Sequence, residues 1–169
     1  MSNFEAIDIK TLNDNFFNRI GSQWSLVTAG SENSFNTMTA SWGGVGVLWN
    51  RNVAFTFIRK SRYTLEFIDN NEYYTLSFFG GEYMKELAFC GKHSGRDTDK
   101  IEATGLTPVF DKKAPYFAEA DLVLVCRKLY KQTMSPDCFI EKDFIEKWYG
   151  DSDWHECFVG DIVAAYKKP

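Results

Sequence analysis

The sequence predicts an α+β protein built mainly from β-strands, folded as a barrel or sandwich with helices inserted between the strands. Segments rich in β-branched and aromatic residues outnumber the segments with helical spacing. The helical segments do not alternate strictly with the strands, which argues against a doubly wound parallel sheet. Residues 122–125 form an unbroken apolar run, which is typical of a strand buried on both faces.

In the first half of the chain we expect four strands and two helices. The first helix is predicted over residues 12–20 and ends at Gly21. The second follows a basic turn and ends near Asn70 and Asn71. Three glycines that follow Trp42 are expected to break extended structure: Gly43, Gly44 and Gly46. The strands are predicted at residues 24–28, 37–42, 53–58 and 73–79, with a turn in GSENS, residues 30–34.

In the second half we expect three helices and two strands. Gly80 and Gly81 turn the chain into a short helix over residues 83–89. Asp97 is a candidate N-cap for a helix that runs to Thr104, with Gly105 in the left-handed conformation after it. A last helix is predicted over residues 139–149, between strands over residues 121–130 and 157–166.

The composition predicts one soluble domain, residues 1–169, located in the cytoplasm. The chain has 44% hydrophobic and 25% charged residues, which is the balance of a globular domain. A net charge of −4 argues against an extended basic face, so no nucleic-acid partner is expected. The first ten residues lack the regions of a signal peptide, and no apolar run is long enough to span a membrane. The four cysteines show no metal-ligand spacing and are expected to be reduced thiols.

Aromatic residues make up 17% of the chain, which is more than one small core requires. Core filling accounts for most of them by default. The excess also fits a subunit interface or a flat ligand.

A cluster of cations lies where a helix is predicted to begin. In the segment TFIRKSRYTLEFI, residues 56–68, a strand pattern is followed by helical spacing, with Arg59, Lys60 and Arg62 between them. Because a helix N-terminus carries partial positive charge, cations there are mildly unfavourable. A bound phosphate would remove that repulsion, and Ser61 or Thr64 would add a hydroxyl donor. The alternative is a solvated basic loop whose side chains point apart.

The segment NTMTASWGG, residues 36–44, alternates small hydroxyl residues with apolar ones. Thr37, Thr39 and Ser41 fall on one face of the predicted strand. Small side chains there would let a planar ligand approach the backbone, and Trp42 would cover it. The alternative is an ordinary edge strand with its polar residues outward.

The segment CGKHSGRDTDK, residues 90–100, adds positive charge in a polar turn. Such a loop can reach an anion or the polar rim of a ring system. The alternative is plain surface charge next to a helix start, since Asp97 and Asp99 are ordinary residues for that position.

The chain is poor in acid–base machinery. His93 and His155 are the only histidines, and no nucleophile motif, Walker loop or dinucleotide fingerprint is present. An organic cofactor is therefore a better candidate for the chemistry than a side chain, and no metal site is expected.

These segments together resemble the flavin reductase-like family with an FMN-binding split barrel, especially flavoredoxin. The resemblance covers residues 24–166 and includes N-x-M-T-A-S-W at 36–42, R-K-S-R-Y-T at 59–64 and H-S-G-R-D-T-D-K at 93–100. The closing H-x-x-x-x-G-D-I-V, residues 155–163, is similar to the last core strand of the family. It implies a split barrel of about six antiparallel strands with peripheral helices, a homodimer, and FMN near the interface.

The resemblance also implies which residues bind FMN. Residues expected to border the isoalloxazine ring and ribityl chain are Asn36, Met38, Thr39, Ala40, Ser41 and Trp42. Residues expected to surround the phosphate are Arg59, Lys60, Ser61, Arg62 and Thr64. Residues expected near the ribityl–phosphate end are Ser94, Arg96 and Lys100. His155 and Tyr166 are expected to border the flavin, where a partner subunit can also contribute.

Two regions depart from the family pattern or are expected to vary. WNRN, residues 49–52, occupies the place where the family commonly has a proline before the strand that leads to the phosphate. Residues 134–154 are expected to differ among relatives and to shape access to the flavin.

The sequence supports three functional hypotheses. The first is an FMN-binding oxidoreductase that moves hydride or electrons from NAD(P)H through the flavin to an acceptor. The second is a flavoredoxin-type electron carrier that is reduced by a redox partner protein. The third is a non-catalytic flavin-binding module.

Overall fold

The structure, a computed structural model, describes residues 3–169 and is dominated by one antiparallel sheet of eight strands. Two short strands form a separate hairpin, β7 (Pro108–Val109) with β8 (Tyr116–Phe117). The strands of the main sheet are β1 (Glu5–Ile7), β2 (Ser25–Ser31), β3 (Ser34–Ala40), β4 (Gly43–Leu48), β5 (Arg51–Arg59), β6 (Tyr73–Phe78), β9 (Leu122–Thr133) and β10 (His155–Lys167).

Five short helices surround the sheet. They are α1 (Phe16–Gly21), α2 (Thr64–Asn70), α3 (Met84–Lys92), α4 (Lys100–Thr104) and α5 (Asp143–Tyr149). Two single 3₁₀ turns lie at Ile9–Thr11 and Pro136–Cys138. No helix of the described chain is long and apolar enough to cross a bilayer.

The sheet is a barrel that does not close. Its strand order is β3-β2-β6-β9-β10-β5-β4, with β1 paired to the far end of β10. The two edge strands, β3 and β4, are consecutive in the chain and are linked by Ser41 and Trp42 alone. Within residues 3–169 no strand ladder joins β3 to β4. The edges therefore meet at one corner and separate from it, which is the arrangement of a split barrel.

The core is packed on both sides of the long central strands. One cluster includes Val27, Ile58, Ile68 and Phe158, so α2 is fixed to the barrel through Ile68. A second cluster packs α3 and the β7–β8 hairpin against the other face, with Leu87 and Phe117 fully buried. Burial of these side chains is the main source of stability for the frame that carries the site.

The predicted fold class is confirmed, with eight strands in the main sheet rather than about six. The strands expected over residues 24–28, 37–42, 53–58, 73–79, 121–130 and 157–166 are all present, with shifted ends. The helix expected to end near Asn70 does so, and Gly105 has the expected left-handed conformation with φ +70°.

The prediction that the glycines after Trp42 break extended structure is wrong, because they belong to β4. A Cβ on Gly43 would lie 2.7 Å from the carbonyl oxygen of Phe55 on the paired strand. Gly44 and Gly46 lie against the Phe55 ring, at about van der Waals distance. The glycines therefore allow close packing within a strand.

Four helices begin later than predicted, and α3, which begins at Met84 instead of residue 83, differs by only one residue. α1 begins at Phe16 because Asn15 caps it, and the Asn15 side chain accepts a hydrogen bond from the Asn18 amide. α4 is capped by Asp99 rather than Asp97, since the Asp99 carboxylate accepts from two amides of the first turn. α5 begins at Asp143, after the 3₁₀ turn at Pro136–Cys138.

Candidate functional site

Two adjoining cavities lie at the corner where the barrel is split. The corner cleft, of about 160 Å³, is lined by Met38, Thr39, Ala40, Ser41, Trp42, Phe57, Arg59, Arg62 and His155. The elbow cavity, of about 150 Å³, is lined by Asn36, Met38, Ser61, Arg62, Tyr63, Thr64, Lys92, His93, Ser94, Gly95 and Lys100. The two share Met38 and Arg62. The two cavities therefore adjoin, one at the barrel corner and the other at the start of α2.

The edge strand β3 forms the floor of both cavities. Because β3 pairs only with β2, half of its backbone N–H and C=O groups point away from the sheet. The hydroxyl of Thr39 donates to the carbonyl oxygen of Leu87 in α3, and that of Thr37 lies 2.8 Å from the Thr28 hydroxyl. These hydroxyls therefore fix β3 to its neighbours, while its backbone and Met38 face the site.

The three cations of the elbow, residues 59–62, have different partners. Lys60 Nζ lies 3.6 Å from the Glu156 carboxylate. Arg59 donates to the carbonyl oxygens of Trp148 in α5 and of Asp153 after it, and it lies 3.4 Å from the Asp151 carboxylate. Arg62 donates to the carbonyl oxygen of Gly91, and no carboxylate of the described chain lies within ion-pair distance of it.

Arg62 is thus a half-buried charge that makes no direct ion pair within residues 3–169, although the Asp153 carboxylate lies near enough to attract it. Burial lowers the pKa of its guanidinium, although an arginine keeps its proton at neutral pH. A partly buried charge without a partner costs free energy, and an anion in the site would offset that cost. Because Arg62 lines both cavities, such an anion would lie at their junction.

The elbow cavity also presents uncharged donors. Asn36 Nδ2 donates to Thr64 Oγ1 at 2.7 Å, which joins β3 to α2 and leaves the Thr64 hydroxyl hydrogen free to donate. A Cβ on Gly95 would overlap the Asn36 carboxamide, so only glycine permits this approach of the loop. The loop that carries Ser94 is thereby held next to the start of α2.

Lys100 is the most buried cation of the site, at 5% exposed. Its Nζ donates to the carbonyl oxygens of Thr37 at 2.6 Å and Cys90 at 2.9 Å. Burial lowers its pKa. Lys100 therefore joins β3 to α3 and brings positive charge to the elbow cavity.

His155 and Trp42 form the far wall of the corner cleft. Their ring centroids lie 5.3 Å apart, and His155 Nδ1 lies 2.7 Å from the Tyr149 hydroxyl. Burial, followed by the charge of Arg59, lowers the pKa of His155 to about 4. The imidazole is therefore neutral at pH 7 and can act as a hydrogen-bond donor or acceptor.

Three of the predicted site residues do not line these cavities. Lys60 points to Glu156 at the rim. Arg96 pairs with Glu66 and lies over the Tyr63 ring, in a polar depression that adjoins the elbow cavity and shares Asn36, Tyr63, Gly95 and Lys100 with it. Tyr166 lies near the opposite end of β10 from His155, with the Lys112 ammonium over its ring. The other predicted residues are brought together.

Five lining residues were not predicted: Phe57, Tyr63, Lys92, His93 and Gly95. Phe57 had a usable signal, since it alternates with Arg59 on the same strand face. Tyr63 lies inside the segment R-K-S-R-Y-T and Gly95 inside H-S-G-R-D-T-D-K, but Tyr63 carries no charge and Gly95 has no side chain, so neither suggests a phosphate contact.

With this geometry in place, comparison with known proteins identifies the class. The family model described as "Flavin reductase like domain" matches residues 17–169. The chain therefore belongs to the flavin reductase-like family, which confirms the resemblance seen in the sequence. Comparison with curated proteins found no match.

Solved structures of the same fold include three informative ones. An FMN-binding domain of a flavin reductase-like enzyme from Shewanella baltica has a TM-score of 0.70 and 16% identity, with 99% of this chain and 78% of that one covered. Flavoredoxin from Methanosarcina acetivorans has a TM-score of 0.64 and 27% identity, with 96% of this chain and 76% of that one covered. The NADH:FAD oxidoreductase SgcE6 from Streptomyces globisporus, in complex with NAD and FAD fragments, has a TM-score of 0.63 and 18% identity. The match covers 86% of this chain and 74% of that one.

The low pKa of His155 predicts a pH-dependent loss of stability. The unfolded chain binds this proton near pH 6.5 and the folded protein only near pH 4, so stability falls as the pH decreases between these values. We expect unfolding by urea to show a loss of about 1–2 kcal/mol between about pH 7 and pH 5 that His155→Gln removes. His93 remains in both proteins as the internal control. An equal loss in both proteins would contradict the assignment.

Proposed function

We propose that this chain binds FMN across the corner cleft and the elbow cavity and acts as an oxidoreductase that moves reducing equivalents from NAD(P)H to an acceptor. The observation that carries the proposal is Arg62, a half-buried guanidinium with no carboxylate partner in the described chain, at the junction of two cavities. The FMN-binding domain from Shewanella baltica supports the choice of flavin, and SgcE6 supports a nicotinamide donor.

The residues present fit an FMN phosphate in the elbow cavity. Arg62 supplies charge, and Thr64 and Ser94 supply hydroxyl groups on the same cavity wall. Lys100 adds a second positive charge from below, although its hydrogen bonds are already made to carbonyl oxygens. No carboxylate lines this cavity, so nothing in its wall repels a dianion.

The corner cleft fits the edge of a flat ring system. Its walls are Trp42, His155 and Phe57, and its floor is the free edge of β3, whose backbone groups can hydrogen-bond a heterocycle. Bound flavin would supply the hydride-accepting chemistry. The chain would orient the ring, exclude water through its aromatic walls, and stabilise negative charge on the ring through the free backbone N–H groups of β3 and the neutral His155.

Arg62→Ala is expected to weaken FMN binding by about 10- to 100-fold, because it removes a charge-assisted hydrogen bond to phosphate. Riboflavin, which lacks the phosphate, is expected to bind wild type and variant alike. Fluorescence titration with both flavins measures the difference. Lys60→Ala is the matched control, since Lys60 belongs to the same cation cluster but points to Glu156. Unchanged FMN affinity in Arg62→Ala would reject the phosphate assignment.

A flavoredoxin-type electron carrier is the second candidate function. The 27% identity to flavoredoxin from Methanosarcina acetivorans over 96% of this chain favours it. In that case a redox partner protein would reduce the flavin, and NAD(P)H would react poorly.

Anaerobic stopped-flow mixing with NADPH and NADH separates the two functions. We expect the FMN-loaded protein to lose its flavin absorbance with saturable dependence on the nicotinamide concentration, as a donor site beside the flavin requires. Free FMN at equal concentration is the control. A rate no faster than that of free FMN would favour the carrier.

We also propose that the chain forms a homodimer. Large apolar side chains are exposed on neighbouring strands of the sheet or at their turns, at Val47, Trp49, Tyr130 and Val163. The Trp49 and Tyr130 rings lie 6.2 Å apart, so these two side chains form a small apolar patch. Patches of this kind are common at subunit interfaces.

Light scattering of the wild-type protein at micromolar concentration is expected to give twice the mass of one chain. Trp49→Asp is expected to shift the measured mass towards that of a single chain. Phe17→Asp, at an exposed aromatic on α1, is the matched control. A wild-type mass equal to that of one chain would refute the dimer.

A further inference from the structure

The segment of residues 148–153, called here the clasp segment, is held by the elbow. Arg59 Nη2 donates to the Trp148 carbonyl oxygen at 2.7 Å, and Arg59 Nη1 donates to that of Asp153 at 3.1 Å. The Asp153 carboxylate in turn accepts from the amide of Ser61 at 3.0 Å and from its hydroxyl at 2.6 Å. Two elbow residues thus hold both ends of the clasp segment.

Aromatic contacts and an ion pair between Arg59 and Asp151 also hold this region. Tyr149 is the one buried residue of α5, and the preceding residues of the helix are exposed or half-buried. The Tyr149 ring packs against Trp154, at 4.5 Å between centroids, and under the Arg59 guanidinium at 5.4 Å. Arg59 therefore contacts the clasp segment through its hydrogen bonds and through its flat face.

The clasp segment supports the wall of the corner cleft. The Trp148 ring meets Trp42 edge to face, with centroids 5.1 Å apart. The Tyr149 hydroxyl lies 2.7 Å from His155 Nδ1. Each of the two wall residues, Trp42 and His155, is therefore held in place by a ring of the clasp segment.

Arg59 and Arg62 are accordingly not equivalent. Arg62 lines both cavities, whereas Arg59 lines only the corner cleft. Both terminal nitrogens of Arg59 already donate to carbonyl oxygens of the clasp segment. Arg59 Nη1 also lies 3.4 Å from the Asp151 carboxylate, so a phosphate bound by these nitrogens would meet a like charge.

We propose that Arg59 is a positioning residue and not a phosphate ligand: by holding residues 148–153 it fixes Trp42 and His155 as the wall against which a flat ring packs. The identity of that ring as flavin rests on the proposed function. Arg59 and Trp148 thus determine how well the site holds the ring, and Arg62 determines how well it holds the phosphate.

Parallel titrations with FMN and riboflavin test this assignment. Arg59→Ala is expected to weaken the binding of both flavins by a similar factor, about tenfold, so that their affinity ratio stays at the wild-type value. Trp148→Ala is expected to weaken the binding of both flavins by a similar factor and to change the visible circular dichroism of bound flavin. Trp148→Phe is expected to keep both the affinities and the circular dichroism at their wild-type values. Ile140→Ala, at a 92% exposed side chain of the preceding loop, is the control. Loss of FMN affinity with unchanged riboflavin affinity in Arg59→Ala would overturn the proposal.

Limited proteolysis tests the clasp itself without any flavin. Lys142 immediately precedes α5 and Lys147 lies in its last turn. Trypsin can cut at both lysines when the helix is released. We expect cleavage at these lysines to be several-fold faster in Arg59→Ala than in wild type or Lys60→Ala. Equal rates would show that Arg59 does not hold the segment and would overturn the proposal. If wild type binds neither flavin, the proposed function fails, and the proteolysis still decides the role of Arg59.

Discussion

The two-residue link between β3 and β4 is the constraint on which the site depends. Ser41 and Trp42 join the two edges of an eight-stranded sheet, so the edges must meet at one corner although they do not pair. An unpaired edge exposes backbone donors and acceptors, and proteins normally cover or blunt such edges. Here α3 covers part of β3 through Thr39 and Lys100, and the rest of the edge remains open to the corner cleft. The site is the part of the split that the helices leave uncovered.

The same corner explains how so many cations fit at the start of α2. Three positive side chains within four residues would repel one another and the helix dipole if they pointed to one place. Instead Lys60 is directed to Glu156, Arg59 to carbonyl groups in and after α5, and Arg62 to the site. Lys60 pairs with a residue of β10, Arg59 holds the clasp segment, and Arg62 remains available for a ligand. A sequence pattern that looks like a single phosphate site thus contains three separate roles.

The barrel, the two motif segments and most of the lining residues could be predicted from the sequence, because strand periodicity and charge clusters are local signals. Strand β4 could not be predicted, because its glycines indicate a break in extended structure unless their packing against Phe55 on the paired strand is known. Its turn was hidden too, because Trp49 and Asn50 both take positive φ without the usual glycine. The role of Arg59 depends on contacts with residues far along the chain, such as the carbonyl group of Trp148, 89 residues later. Local sequence patterns cannot predict a contact at that separation. The family resemblance alone placed Tyr166 beside the flavin, and in the structure Tyr166 and His155 lie near opposite ends of a strand of 13 residues.

The position of β10 between β9 and β5 has a consequence for how the protein is made. Phe158 pairs with both Lys131 and Thr56, so β10 is the strand that joins β5 and β4 to the other half of the sheet. During synthesis the β4–β5 hairpin leaves the ribosome long before its partner exists, and the cost of closing so large a loop must be met before the barrel gains stability. Until then β5 is an exposed, apolar edge that can pair with another nascent chain. Folding of this barrel is thus expected to be slow and concentration-sensitive, and chaperones that shield strand edges would raise its yield.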